Sequence, residues 1–254
     1  MAKSLLKSVP KSPAAKSPAR DGIANRLLLS LPQATLAQIR PDLELVNTAR
    51  GEVIDYTDRP VEYVYFVNRG IVSLVKTMRD GRTVEIGVVG VEGITDPYAL
   101  FGLYSAPLEA IVQIPGSAFR VKLDVLKKSM AEDDKLREAL EKYSNFSLLA
   151  LAQTAACNRL HFLEERCCRW LLIAHDSALA DTFPLTHEFL AMMLGVQRAG
   201  VSIAANFLQK AGLIRYNRGQ VTITNRGGLE EASCECYADM RVEFGKLFRQ
   251  SKKA

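Results

Sequence analysis

No apolar run in the 254-residue chain approaches the roughly 18 to 20 residues needed to span a bilayer. The basic N-terminus also lacks the apolar stretch of a secretory signal, so a cytoplasmic protein without a membrane anchor is expected. A phosphate-cradling glycine loop, a nucleophile elbow and a His-Glu-x-x-His helix are all missing, and nothing argues for an enzyme. Cysteine is sparse and odd in number, with five residues at 157, 167, 168, 234 and 236, which speaks against a disulfide framework. Cys167 and Cys168 would point about 100° apart on a helix, and Cys234-x-Cys236 has no second close pair at the usual zinc spacing. Buried or idle thiols and no metal are therefore expected, with Cys234 and Cys236, read as exposed, the place for any thiol switch.

What is present is an ordinary globular composition, 48% apolar and 24% charged, close to the average for soluble domains. The net charge of +5 sits in one place. Residues 1–20 carry Lys3, Lys7, Lys11, Lys16 and Arg20 without an acid, in a Lys-Ser-Pro-Ala stretch that reads as a disordered, solubilising tail. The remainder balances its charges, apart from residues 184–228, where Arg198, Lys210, Arg215, Arg218 and Arg226 face Glu188 alone. Only the structure around that patch can give it meaning.

Periodicity divides the chain. After a short helical pattern over 21–40, apolar residues alternate in short segments: 52–56, 61–68, 71–78, 83–88, 108–114 and 118–121. Turn signals at Asn68-Arg69-Gly70, Arg79-Asp80-Gly81 and Pro115-Gly116 separate them. So many short strands predict a β jelly-roll barrel over 21–130. Residues 131–160 then contain no glycine or proline, start acidic and repeat apolar side chains at helical spacing. A helix of that length outruns one small barrel, so a second copy of the chain is the simplest cover for its stripe of Leu136, Leu140, Tyr143, Ala150 and Thr154. A further helix is expected over 162–178, and an amphipathic extension over 229–254, packed on the domain before it.

The most specific stretch is PLTHEFLAMMLGVQRAGVSIAANFLQKAGLIRYNRGQVTI, residues 184–223. Thr186 suits a helix cap, Gly195 a sharp turn, and Arg198–Ala211 a second helix locked across the first by Ala191, Val196 and Val201. Two alternating strands joined at Asn217-Arg218-Gly219-Gln220 complete a winged helix-turn-helix over 161–228. Such a second helix enters the DNA major groove. Gln197, Arg198, Ser202 and Asn206 are then the candidates for base contact, and Thr186, His187 and Arg218 for phosphate. A ligand-sensing module acting through protein–protein contacts is the competing reading, and salt dependence separates the two.

A barrel, a long helix and a winged helix in this order resemble the Crp/Fnr family of transcription regulators. The resemblance is carried by GEVIDYTDRPVEYVYFVNRGIVSLVK, GRTVEIGVVGVEGI and LTHEFLAMMLGVQRAGVSIAANFLQKAGLI. It implies an α+β protein that forms a homodimer, reads an inverted repeat in double-stranded DNA, contacts RNA polymerase and senses a signal in its barrel. It also points to Glu92 and Gly93 as remnants of a ligand cassette. Members that bind cyclic nucleotides use a buried arginine for the phosphate, yet no Arg or Lys stands between Arg82 and Arg120, so a cyclic nucleotide is not expected. The iron–sulfur branch needs N-terminal cysteines and the haem branch a barrel ligand. The first cysteine is Cys157 and the first histidine His161, so neither cofactor is expected. Of the Arg-Glu-x-x-x-Arg of the best-known recognition helices only the first arginine, Arg198, is kept.

Overall fold

The computed structural model describes residues 22–248; the basic tail expected over 1–20 lies outside the described residues. Two short helices, α1 (Arg26–Ser30) and α2 (Gln33–Ile39), come first. Asn25 caps α1, its Oδ1 accepting from the Leu28 N–H at 2.9 Å, and its amide donates to the Val67 and Gly93 carbonyls, both at 2.8 Å. One buried side chain thus ends a helix and binds it to the sheet beneath.

That sheet is antiparallel and runs β1 (Glu44–Thr48), β5 (Glu109–Lys122), β3 (Tyr63–Thr77), β4 (Thr83–Val89), with β2 (Val53–Asp55) also paired to β5. It is the expected β domain, although the five strands do not close a complete barrel. Two of the expected turns are not turns. Asn68-Arg69-Gly70 and Pro115-Gly116 lie inside β3 and β5, facing each other across a run of register shifts. A Cβ at Gly70 would strike the Ile114 carbonyl oxygen, and one at Gly116 the Arg69 carbonyl. Glycine is needed there for close backbone approach in a bulge, a signal that sequence alone shares with a hairpin turn.

Helix α3 (Leu123–Glu132) precedes the long α4 (Asp134–Leu160). The Asp133 carboxylate caps α4, accepting from the backbone of Lys135 and Leu136 at 2.7 and 3.1 Å, so the helix expected from 131 begins at 134. Its 27 residues extend about 40 Å. Leu136, Leu140, Tyr143 and Phe146 are buried with Val64, Phe66, Ile94 and Phe119 in the core of the sheet domain. This corrects the expected dimerisation stripe: Leu136, Leu140 and Tyr143 are covered by their own chain, while Ala150 and Thr154 line a cavity. The face left to solvent holds Leu148, Leu149, Ala152, Ala155 and Ala156.

A second core forms around α5 (Leu163–Ala178), β6 (Thr182–Pro184), α6 (His187–Leu194), α7 (Arg198–Lys210), β7 (Ile214–Asn217), β8 (Gln220–Ile223) and α8 (Arg226–Ala232). The three strands pair in the order β6-β8-β7. Ile71 and Ile114 of the first sheet join this core, so the two units share apolar contact. The extension expected as one helix is two, broken at Ser233, and α9 (Cys236–Phe248) turns back. Met240, Phe244, Leu247 and Phe248 pack on the sheet-domain core, while Tyr237 at the start of α9 keeps the expected packing on the domain before it, buried in the second core with its hydroxyl donating to Asp176 at 2.8 Å. Among the described residues no helix is long and apolar enough to cross a membrane.

Glu85 sits at the joint between the units. Its carboxylate accepts from Trp170 Nε1 of α5 at 3.2 Å and from Ser73 Oγ at 2.5 Å, and that hydroxyl is 3.3 Å from Met193 Sδ of α6. Burial raises its pKa to about 8, against the opposing pull of the Ser73 and Trp170 hydrogen bonds and of Arg169. A carboxyl raised in the fold gives stability that is full below its unfolded pKa and is lost as pH rises through the folded value. Glu85→Gln, which keeps an oxygen acceptor without the charge, is expected to remove a loss on the order of 3 kcal/mol between about pH 5 and pH 9. Thermal melts of the two proteins across that range test this, and parallel pH profiles would refute it.

Candidate nucleic-acid interface

The helix-turn-helix forms as its residue types require. Thr186 Oγ1 accepts from the Phe189 N–H at 3.3 Å and caps α6. Gly195 ends α6 with φ 63°, a left-handed conformation that glycine adopts without strain. Val201, Ala204, Ala205 and Leu208 are buried beneath α7. In the wing, Arg218 and Gly219 have φ of 46° and 76°, the two successive positive values of a type I′ hairpin turn. Leu185 N–H donates to the Gly219 carbonyl at 2.9 Å, which holds the wing over the start of α6.

Gln197, Arg198 and Asn206 are exposed along α7, and Arg218 stands exposed at the wing tip. Two expected contacts are turned inward. His187 Nδ1 lies 3.0 Å from Ser202 Oγ, and its ring packs 4.4 Å from the Tyr216 ring. Burial, with Arg198 nearby, lowers the His187 pKa, which favours a neutral ring over a cation for phosphate. Ser202 is also bound to the Arg198 carbonyl at 3.1 Å. These two residues therefore position α7 against α6. Thr186 is half-buried at its cap.

The basic patch loses one member. Arg226 is 2.8 Å from Asp176 and 3.0 Å from Glu230, so its charge is spent inside the domain. Among the described residues no ion pair engages Arg198, Lys210, Arg215 or Arg218. Sequence reasoning missed Ile203 and Phe207, which are 68% and 59% exposed on the same helix. Apolar side chains there suit the thymine methyl group. A helical wheel from Arg198 would have found them, because Ile203 lies four residues after Ala199 and beside Asn206.

Behind the interface a cavity of about 310 Å³ opens between the sheet, α4 and α9, walled by Leu74, Val89, Ile94, Phe146, Leu151 and Phe244. Glu92 lines it, accepting from the Gly90 N–H at 2.9 Å, with its pKa raised by burial. Gly93 has a different duty, since a Cβ there would overlap the Tyr143 hydroxyl; it lets α4 lie close to the sheet. The cations at the cavity are Arg26, Arg169 and Arg241, all from outside the strand segments where a cyclic phosphate would find its partner.

Comparison with known proteins agrees with this arrangement. Residues 45–133 match the cyclic nucleotide-binding domain and residues 165–232 the Crp-like helix-turn-helix domain, together more than half of the chain. A global nitrogen regulator of Synechococcus elongatus is 21% identical over 198 residues, 74% of this chain and 89% of the relative. The fold is shared with FixK2 of Bradyrhizobium japonicum, at TM-score 0.64 and 23% identity over 76% of this chain and 98% of that one. A CRP-family transcriptional regulator of Thermus thermophilus gives TM-score 0.62 and 22% identity, covering 74% and 96%. Two matched domains in this order, joined by the long α4 and ending in a winged helix with an unpaired basic edge, show that the chain belongs to the Crp/Fnr family of transcription regulators and is not an enzyme.

Proposed function

We propose that the protein is a cytoplasmic homodimer that reads an inverted-repeat operator, with α7 of each protomer in the major groove and the wing on the flanking backbone. The observation that carries this is the solvent-facing edge of α7, where Gln197, Arg198 and Asn206 stand exposed beside Arg215 and Arg218. Arg198 can form two bonds to guanine, while the other cations neutralise phosphates. The bare apolar face of α4, with Leu148 and Leu149, supports a second copy as its cover. A small, largely apolar effector in the cavity would bias the two DNA-binding units, and contact with RNA polymerase follows from the family resemblance.

Selection from a random duplex pool, with and without cyclic AMP, tests the reading. A palindrome with half-sites about one helical turn apart, recovered without the nucleotide, is the expected result. Lys210, Arg215 and Arg218 on both protomers predict a log–log salt slope on the order of −5 for the selected duplex. No enrichment, together with a salt-insensitive interaction, would favour a module that acts through protein contacts.

A further inference from the structure

Four donor atoms from two distant parts of the chain converge where α4 ends. Cys157 and His161 are one helical turn apart in the sequence at that end, and Cys234, in the link after α8, and Cys236, the first residue of α9, flank Glu235. One donor atom from each of the four lies within 4.8 Å of every other. Cys157 Sγ is 3.6 Å from Cys234 Sγ, and Cys236 Sγ is 3.5 Å from His161 Nδ1.

These separations fit a single ion. Around Zn²⁺, with bonds of about 2.3 Å to sulfur and 2.0 Å to nitrogen, tetrahedral edges come to roughly 3.8 Å between sulfurs and 3.5 Å between sulfur and nitrogen. A disulfide would need about 2.05 Å, and an iron–sulfur cluster binds its cysteines through several irons and spreads them further. The three cysteines are buried, shielded from water as a closed structural site requires.

The surroundings are those of a ligand set. His161 Nε2 lies 3.1 Å from Glu235 Oε1, and a carboxylate on the far nitrogen holds that proton and leaves the Nδ1 lone pair facing the sulfurs. Gln153 Nε2 donates to Cys236 Sγ at 3.0 Å. Arg166 and Arg169 stand near enough to Cys157 to act on it electrostatically, which offsets the net negative charge of three thiolates on a dication.

We propose that Cys157, His161, Cys234 and Cys236 bind one Zn²⁺ per chain in a closed tetrahedral site that fastens α9 to the end of α4. Binding releases the thiol protons to solvent, with no change of oxidation state. The clamp sits beside Phe162, where the long helix passes into the DNA-binding unit, and holds in place the helix that walls the cavity.

Metal analysis of the purified full-length protein is the test. One equivalent of zinc is expected, and cobalt exchanged into the site should show thiolate-to-cobalt charge transfer with the d–d bands of a tetrahedral ion. The Cys157→Ser/Cys234→Ser double variant should lose the metal and Cys168→Ser, in the separate DNA-binding core, should keep it. Glu235→Ala should weaken zinc affinity on the order of 10- to 100-fold at unchanged stoichiometry. If the double variant fails to fold, wild-type protein stripped by a chelator should melt lower and recover with Zn²⁺ but not Mg²⁺. A protein that takes up neither zinc nor cobalt, a Cys157–Cys234 disulfide in its place, or a double variant that retains a full equivalent would overturn the proposal.

Discussion

Replacement of Arg198 by alanine is expected to abolish discrimination between operator and random DNA while leaving the dimer intact. A bidentate arginine–guanine pair contributes about 1 to 3 kcal/mol of discrimination. Through two half-sites the specific affinity should fall on the order of a hundredfold or more, toward the nonspecific level set by Lys210, Arg215 and Arg218. Arg218→Ala should behave differently. A phosphate contact at the wing tip carries no sequence information, so its loss should weaken all duplexes alike and make the salt slope shallower by roughly one per half-site. Fluorescence anisotropy on selected and scrambled duplexes separates the two patterns. Unchanged operator affinity in Arg198→Ala would remove the assignment of α7 as the recognition helix.

Leu140→Ala and Leu148→Glu are expected to fail in opposite ways, although both lie on α4. Leu140 is fully buried against the sheet domain, and truncating such a leucine costs about 2 to 5 kcal/mol through lost transfer energy and the cavity left behind. The melting temperature should drop, with the subunit association of the remaining folded protein unchanged. Leu148 is 68% exposed, so a carboxylate there costs the isolated chain little. In a dimer that joins α4 to α4 it would bury two like charges, and the protein should sediment as a well-folded monomer with weakened operator binding. A Leu148→Glu protein that remains dimeric would place the interface elsewhere.

The legible parts of this chain were those written in local order. Thr186, Gly195 and the Asn217–Gln220 hairpin each satisfy a requirement met within a few residues, and the winged helix forms from them, with α8 carrying its core on to Ala232, past the expected end at 228. Long-range requirements were misread. The spacing of Leu136, Leu140 and Tyr143 marks an apolar stripe but cannot say what covers it, and α1, the sheet and α9 reached it first. Gly70 and Gly116 looked like turn glycines because a bulge and a turn ask for the same absence of a Cβ. His187 reads in sequence as a candidate for phosphate contact because its partner Tyr216 arrives only when the wing folds back. The cysteines are the clearest case. Metal-ligand spacing is legible in sequence only where pairs lie close along the chain, whereas Cys157 and His161, four residues apart at the end of α4, meet Cys234 and Cys236 only after the C-terminal segment doubles back. Cys234 and Cys236, read as exposed, are buried there.

The return of α9 beneath α4 makes the segment downstream of the wing a wall of the cavity. Tyr237 and Ile173 line that cavity and also pack in the DNA-binding core, so an occupant of the cavity that favours one pose of the DNA-binding unit would be linked to operator binding through them. Such linkage is reciprocal: an occupant that tightens operator binding by some factor must itself be held more tightly, by the same factor, when operator DNA is present. On the proposed reading the operator would double as a reagent for finding the signal, since compounds retained by the protein on DNA but released without it would be the ones it answers to.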